Sequence, residues 1–142
     1  MKFFSIRTPL LLLSLLAFLP LTDQPRLSPA DVGTAAYYCP PYTQTACSAQ
    51  FPSSNLFAAA GEGIWDNGAS CGKQYLVRCT SPIVSGICIR DRTVKVRIVD
   101  CAPSSSSRPS SNDATMVLST TAFDVIAKFA TAVDVEYQLL KN

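Results

Sequence analysis

A small β-barrel or an α+β domain is the fold class this sequence predicts, on three observations. Short runs of alternating apolar and polar residues recur along the chain. A single stretch of helical period follows one of them, and all six cysteines lie in the same C-terminal part.

The chain opens on a different pattern. Lys2 and Arg7 precede Leu10-Leu11-Leu12-Leu13-Ser14-Leu15-Leu16-Ala17-Phe18-Leu19, apolar but for one serine. A bilayer-crossing helix needs about 20 apolar residues, so the run fits the h-region of a secretory signal better than a membrane anchor. Ser28-Pro29-Ala30 offers small residues for cleavage, which makes residues 1–30 a signal peptide and leader and residues 31–142 the folded domain; a cut nearer Thr22 is the alternative.

Strand candidates then follow in order. Gly33-Thr34-Ala35-Ala36-Tyr37-Tyr38 and Gln74-Tyr75-Leu76-Val77-Arg78-Cys79 are short ones. In Thr93-Val94-Lys95-Val96-Arg97-Ile98-Val99-Asp100 the period of two is clearest: Val94, Val96 and Ile98 share one face, Lys95 and Arg97 the other. Thr115-Met116-Val117-Leu118 leads into a helix from Thr120 or Thr121 to about Phe129, with Ser119 or Thr120 as N-cap and Ala122, Phe123, Ile126 and Ala127 at helical spacing. Val133–Leu139 alternates again. Asp66-Asn67-Gly68 signals a turn, and residues 104–112, serine-rich with Pro109, a polar loop. No internal repeat or domain linker interrupts the sequence.

Cysteine number and charge narrow the class. Cys39, Cys47, Cys71, Cys79, Cys88 and Cys101 form an even set in a small exported domain, which reads as three disulfides of open connectivity. A zinc site is disfavoured, since there is no histidine and no C-x-x-C pair; no metal or cofactor is expected. Residues 31–142 carry nine Lys and Arg against nine Asp and Glu. No long-range field therefore draws the domain to nucleic acid, and no second apolar run reaches membrane-spanning length.

The missing histidine also removes Ser-His-Asp and Cys-His catalysis, and Gly61-Glu62-Gly63 lacks the rest of any phosphate-binding loop. Carboxylate chemistry remains, and it needs two carboxyl groups facing one bond. Glu62, Asp66, Asp91, Asp100, Asp113 and Asp124 are the pool, and the sequence pairs no two of them. Aromatic rings that could stack on a sugar are Tyr37, Tyr38, Tyr42, Trp65 and Tyr75; strand alternation sends Tyr37 and Tyr38 to opposite faces.

Asp31–Tyr38, Thr45-Ala46-Cys47, Asn55–Gly72, Tyr75–Cys79, Val96–Asp100 and Leu118–Phe123 together resemble the plant natriuretic peptides, expansin-like proteins with an endoglucanase-like domain. The likeness covers essentially all of residues 31–142. It implies a mainly β fold, a six-stranded double-psi β-barrel with one or two short helices, in a protein secreted to the plant apoplast. It also implies the pairs Cys47–Cys71 and Cys79–Cys88, and leaves Cys39 and Cys101 for a third.

Relative to the related hydrolases, the acid position is Val117 and the base falls near Pro40. Ala36 replaces an expansin groove threonine, whereas Asp100 matches a groove carboxylate. The expectation is a non-enzymatic monomer acting on water and ion homeostasis, with a plasma-membrane receptor as partner. The alternative is a cell-wall polysaccharide-binding or wall-modifying module without hydrolase activity, its candidate groove built from Tyr38, Asp100 and Trp65.

Overall fold

The structure, a computed structural model, describes residues 29–42, 46–48, 50–81, 86–102 and 114–141. Residues 1–28 of the leader, Asp113 and the serine-rich loop lie outside these residues. In chain order the elements are β1 (Asp31–Tyr38), β2 (Phe57–Ala60), helix α1 (Glu62–Trp65) running into a 3-10 turn (Asp66–Gly68), β3 (Gln74–Cys79), β4 (Thr93–Cys101), β5 (Met116–Ser119), helix α2 (Thr120–Ile126) and β6 (Ala132–Leu140). No helix of the described residues is long and apolar enough to cross a membrane.

The strands close into a barrel in the order β1-β5-β2-β4-β3-β6. The β1–β5 and β2–β4 pairs are parallel and the other four antiparallel. Such mixed closure without sheet edges is the six-stranded barrel that the sequence likeness implies. Its interior takes one face of every strand: Ala35, Ala58, Val77, Val96, Ile98, Met116, Leu118 and Val135 are all without solvent exposure. Helix α2 adds Ala122, Phe123 and Ile126 to this core.

Local chemistry explains where the elements lie. In β4, Val94, Val96 and Ile98 point inward while Thr93, Lys95 and Arg97 face solvent, as the alternation predicts. Strands β2 and β5 are buried at every position, so they have no period-two signal; the Phe57–Ala60 strand, rich in alanine, escapes the sequence reading for that reason. Ser119 caps α2 by accepting from the Ala122 amide at 3.2 Å. The helix ends at Ile126, short of the predicted Phe129, because Ala127 turns extended and bridges Cys88.

Asp66, Asn67 and Gly68 all take the left-handed conformation that the turn signal anticipates. Gly61 is required for another reason. A Cβ there would lie 2.1 Å from the Ala114 carbonyl oxygen, and without one the Gly61 amide donates to the Thr115 carbonyl at 2.9 Å.

Two disulfides staple the barrel, Cys47–Cys71 and Cys79–Cys88, each with a Cα separation of 5.4 Å. The expected Cys39–Cys101 bridge is not formed. Cys39 follows β1 and is exposed, whereas Cys101 ends β4 and is buried. Strands β1 and β4 lie opposite one another in the ring, so no ladder brings these two sulfur atoms together.

Phe57 is fully buried on the face of β2 that looks away from the barrel interior. Phe57→Ala should cost about 3–5 kcal/mol in chemical denaturation, the usual range for an emptied aromatic site. A loss below about 1 kcal/mol would mean that this outer face is not packed as described.

Candidate functional site

The positions that the family likeness singles out meet on the outer face of four adjoining strands. Ala36 of β1 lies opposite Val117 of β5, Val117 opposite Ala59 of β2, and Ala59 opposite Asp100 of β4. The β2–β4 register shifts between Ala58 and Ala59. That irregularity brings Asp100 rather than Val99 opposite Ala59, so a single row crosses four strands. Three of its four members are apolar, and all four are at most 3 % exposed.

This row is the floor of a second apolar cluster, separate from the barrel interior. Ala36, Tyr38, Phe57, Ala59, Val99 and Val117 form it, and Tyr42, Phe51, Ala102 and Ala114 pack against it. Tyr42 lies among the rings, 4.7 Å from Phe57 and 4.9 Å from Tyr38 between centroids, both edge to face. Phe51 adds a contact of 4.7 Å to Phe57.

The Tyr42 hydroxyl fixes this ring in place. It donates to the Tyr38 carbonyl at 3.0 Å and accepts from the Thr120 amide at 3.1 Å. Thr120 Oγ1 donates to the same Tyr38 carbonyl at 3.0 Å. One phenol thus ties the segment after β1 to the first residue of α2, over the position where a groove would open.

Asp100 holds the covering segment from the other side. Its Oδ1 accepts from the Ala46 amide at 2.9 Å and from the Cys101 amide at 2.8 Å. Ala46 precedes Cys47, whose bridge to Cys71 anchors the same segment. This oxygen is therefore committed to backbone donors. The other carboxylates of the pool that the structure describes, Glu62, Asp66, Asp91 and Asp124, are exposed.

The three predicted groove residues do not form one site. Tyr38 and Asp100 come close enough to interact electrostatically, but both are buried, at 4 % and 3 % exposure. Trp65 ends α1 and packs, half-buried, against the barrel-interior cluster instead. Tyr37 and Tyr38 do face opposite ways, with Tyr37 against Phe123 at 4.9 Å and Tyr38 under Tyr42. Sequence reasoning overlooked Tyr42 and Phe51 as the cover; clustered aromatics beside a cysteine were the available signal. Of the positions that the sequence reading assigned to acid and base, Val117 lies in the apolar floor and Pro40 is exposed past the end of β1. Neither can give or take a proton. Among the described residues no three His, Cys, Asp or Glu side chains gather as a metal site would need.

The Tyr38 hydroxyl is buried without a hydrogen-bond partner. Burial above all, then the charge of Asp100 and the neighbouring Tyr42, pushes this phenol far above its ordinary pKa of 10.0. The folded protein therefore holds this proton where an unfolded chain would release it. The stability this contributes is complete below pH 10 and drains away as the pH climbs above it. In an alkaline titration the Tyr38 phenolate should appear only together with loss of the folded circular-dichroism signal. Tyr38→Phe should move that unfolding to higher pH without lowering stability at neutral pH, since no hydrogen bond is lost. Ordinary ionisation of Tyr38 near pH 10 in the folded protein would contradict the sealed face.

Known proteins share this architecture. Residues 57–137 match the family model described as "Lytic transglycolase". An EG45-like domain containing protein of Citrus jambhiri is 40 % identical over 101 residues, covering 69 % of this chain and 72 % of that protein. EG45-like domain containing protein 2 of Arabidopsis thaliana is 35 % identical over 102 residues, covering 71 % and 73 %. Among solved structures, the expansin of Clavibacter michiganensis, a point mutant of which was crystallised in complex with cellohexaose, superposes with a TM-score of 0.59 at 18 % identity. The match takes in 80 % of this chain and 51 % of the expansin, so the chain spans about half the length of that protein. A Streptomyces papain inhibitor superposes at a TM-score of 0.53 and 20 % identity, over 82 % of this chain and 98 % of the inhibitor. The fold is thus an expansin-like double-psi barrel, and the chain belongs to the EG45-like domain family.

Proposed function

We propose that this protein acts in the plant apoplast as a secreted, non-enzymatic, monomeric protein of the natriuretic-peptide type, influencing water and ion balance through a plasma-membrane receptor. The observation that carries this reading is the state of the outer face. The row Ala36–Val117–Ala59–Asp100 has no proton donor at the acid position, and its one carboxylate is bound to the Ala46 and Cys101 amides. Hydrolysis of a glycosidic bond needs an acid and a second carboxylate around an accessible bond. A face covered by Tyr42 and Phe51 favours a body that is recognised from outside over one that cuts. The two disulfides fit export to an oxidising compartment, as does the apolar N-terminal run.

The second reading is a wall-modifying module that binds polysaccharide without hydrolysing it. It draws on the expansin crystallised with cellohexaose, a protein of the same fold. Against it stands the burial of Tyr38 and Asp100.

The two readings separate in one paired experiment on the oxidised protein. Protoplasts should swell in a dose-dependent way, while retention on insoluble cellulose stays at the level of a non-binding control. Reduction of Cys47–Cys71 and Cys79–Cys88 should abolish the swelling. Inactivity at every dose, together with strong retention on cellulose, would overturn the signalling reading in favour of the wall-binding one.

A further inference from the structure

At the end of α2 the backbone does something unfavourable in plain view of solvent. Phe129 is 93 % exposed and sits at φ 59°, a left-handed conformation that a bulky side chain rarely adopts. Little in folding rewards an aromatic ring there: it buries almost no surface, and glycine would fit the backbone better. Nor is the segment loose. Ala127 is bridged to Cys88, the Lys128 amide donates to the Ile87 carbonyl at 2.8 Å, and the Ile89 amide donates to the Ile126 carbonyl at 2.8 Å. The Cys79–Cys88 disulfide ties that supporting strip to β3, and β6 begins just beyond at Ala132. The ring is held out from a fixed base.

Beside it lies an open cleft of about 650 Å³, within the size range of sites that take small ligands. Tyr37, Thr120, Asp124, Lys128, Phe129 and Thr131 line it. It lies at the α2 corner, where Tyr37 faces away from the covered row on the opposite side of β1. Three of the lining side chains carry rings, Tyr37, Phe123 and Phe129, while Thr131, Asp124 and Lys128 add a hydroxyl, a carboxylate and an ammonium; the Thr120 hydroxyl is held by the Tyr38 carbonyl. Among the described residues the one ion pair is Arg78–Glu136, so Asp124 and Lys128 are not spent on each other.

We propose that this cleft binds a short neutral oligosaccharide, with Phe129 as a prearranged platform for the C–H face of a sugar ring and with Asp124, Lys128 and Thr131 meeting its hydroxyls. The single positive and single negative charge balance, which disfavours a polyanion. The rings and hydroxyls together match a ligand that is apolar on its faces and polar around its edge. A platform held before binding loses little conformational entropy when the ligand arrives. The assignment is independent of the receptor reading, because Asp124, Lys128, Phe129 and Thr131 lie outside the covered row and outside the Tyr42 tie.

The test is a titration of the oxidised, isotope-labelled protein followed by nuclear magnetic resonance. The probes are cellohexaose, xylohexaose, tetragalacturonate and glycylglycine. At least one of the two neutral hexasaccharides should shift the amides of residues 121–132, as a weak contact with a soluble fragment that leaves retention on insoluble cellulose at the control level, and tetragalacturonate should shift them less. Phe129→Gly should weaken that binding by about tenfold while its thermal midpoint stays equal or rises; Asp124→Ala, an exposed change, should weaken it too. No shift with either hexasaccharide, shifts confined to Ala36, Ala59 and Val117, or unaltered affinity in Phe129→Gly would each overturn the proposal. So would binding of glycylglycine alone, which would assign the Asp124 and Lys128 charges to a zwitterion. The swelling response of Phe129→Gly, measured in parallel, keeps the outcome for this cleft distinct from that for the signalling reading.

Discussion

A single phenol bridges the parts of this molecule on which the functional reading turns. The Tyr42 hydroxyl links the Tyr38 carbonyl to the Thr120 amide, and its ring lies on Phe57 and Tyr38. Beneath it runs an apolar row that could not face water without cost, since burying a cluster of this kind is worth about 25 cal/mol for each Å² removed from solvent. With Val117 and Ala36 in that row, the physical pressure is to cover them. The segment after β1 does so, tied down by Asp100 at one point and by Cys47–Cys71 at the next.

Asp100 is a strand-end carboxylate whose visible task is to hold the fold together. A carboxylate at the end of a barrel strand facing an open trench would be free to bind sugar hydroxyls. Here the same group is buried and its Oδ1 satisfies two backbone amides. Such hydrogen bonds to a charged acceptor are among the stronger ones in proteins, so Asp100 serves as an anchor. The unpartnered Tyr38 hydroxyl is the complementary sign: a buried polar atom without a hydrogen bond, tolerated because the ring itself fills space between Tyr42 and Phe57.

Much of the barrel was legible in the sequence, where strands had one face in the core and one in water. β4 announced itself through Lys95 and Arg97, and β6 through Asp134 and Glu136. β2 did not, because Phe57–Ala60 is buried on both faces and alternation vanishes when neither side meets solvent. The length of α2 was overestimated for a tertiary reason: the strip around Cys88 captures the backbone at Ala127 before the helical period runs out. The likeness to expansins led to an expectation of an apolar residue, Val117, at the acid position, and it carried no sign that the face is closed. That closure depends on Tyr42 and Phe51 reaching across to β2 and β5, contacts set by loop geometry rather than by local pattern. The same limit separates Trp65 from Tyr38 and Asp100, which the sequence could only place together by analogy.

The central claim, that the outer face is a packed and covered layer, is tested most directly by native-state amide hydrogen exchange at Thr120 and Ala46. These two amides donate to Tyr42 and Asp100, the ties that keep the cover closed. Both should exchange only through large-scale opening, with protection approaching that of the barrel-core amides. Exchange at the rate of an exposed loop would mean that the cover lifts readily, and that the row beneath it is an accessible groove after all.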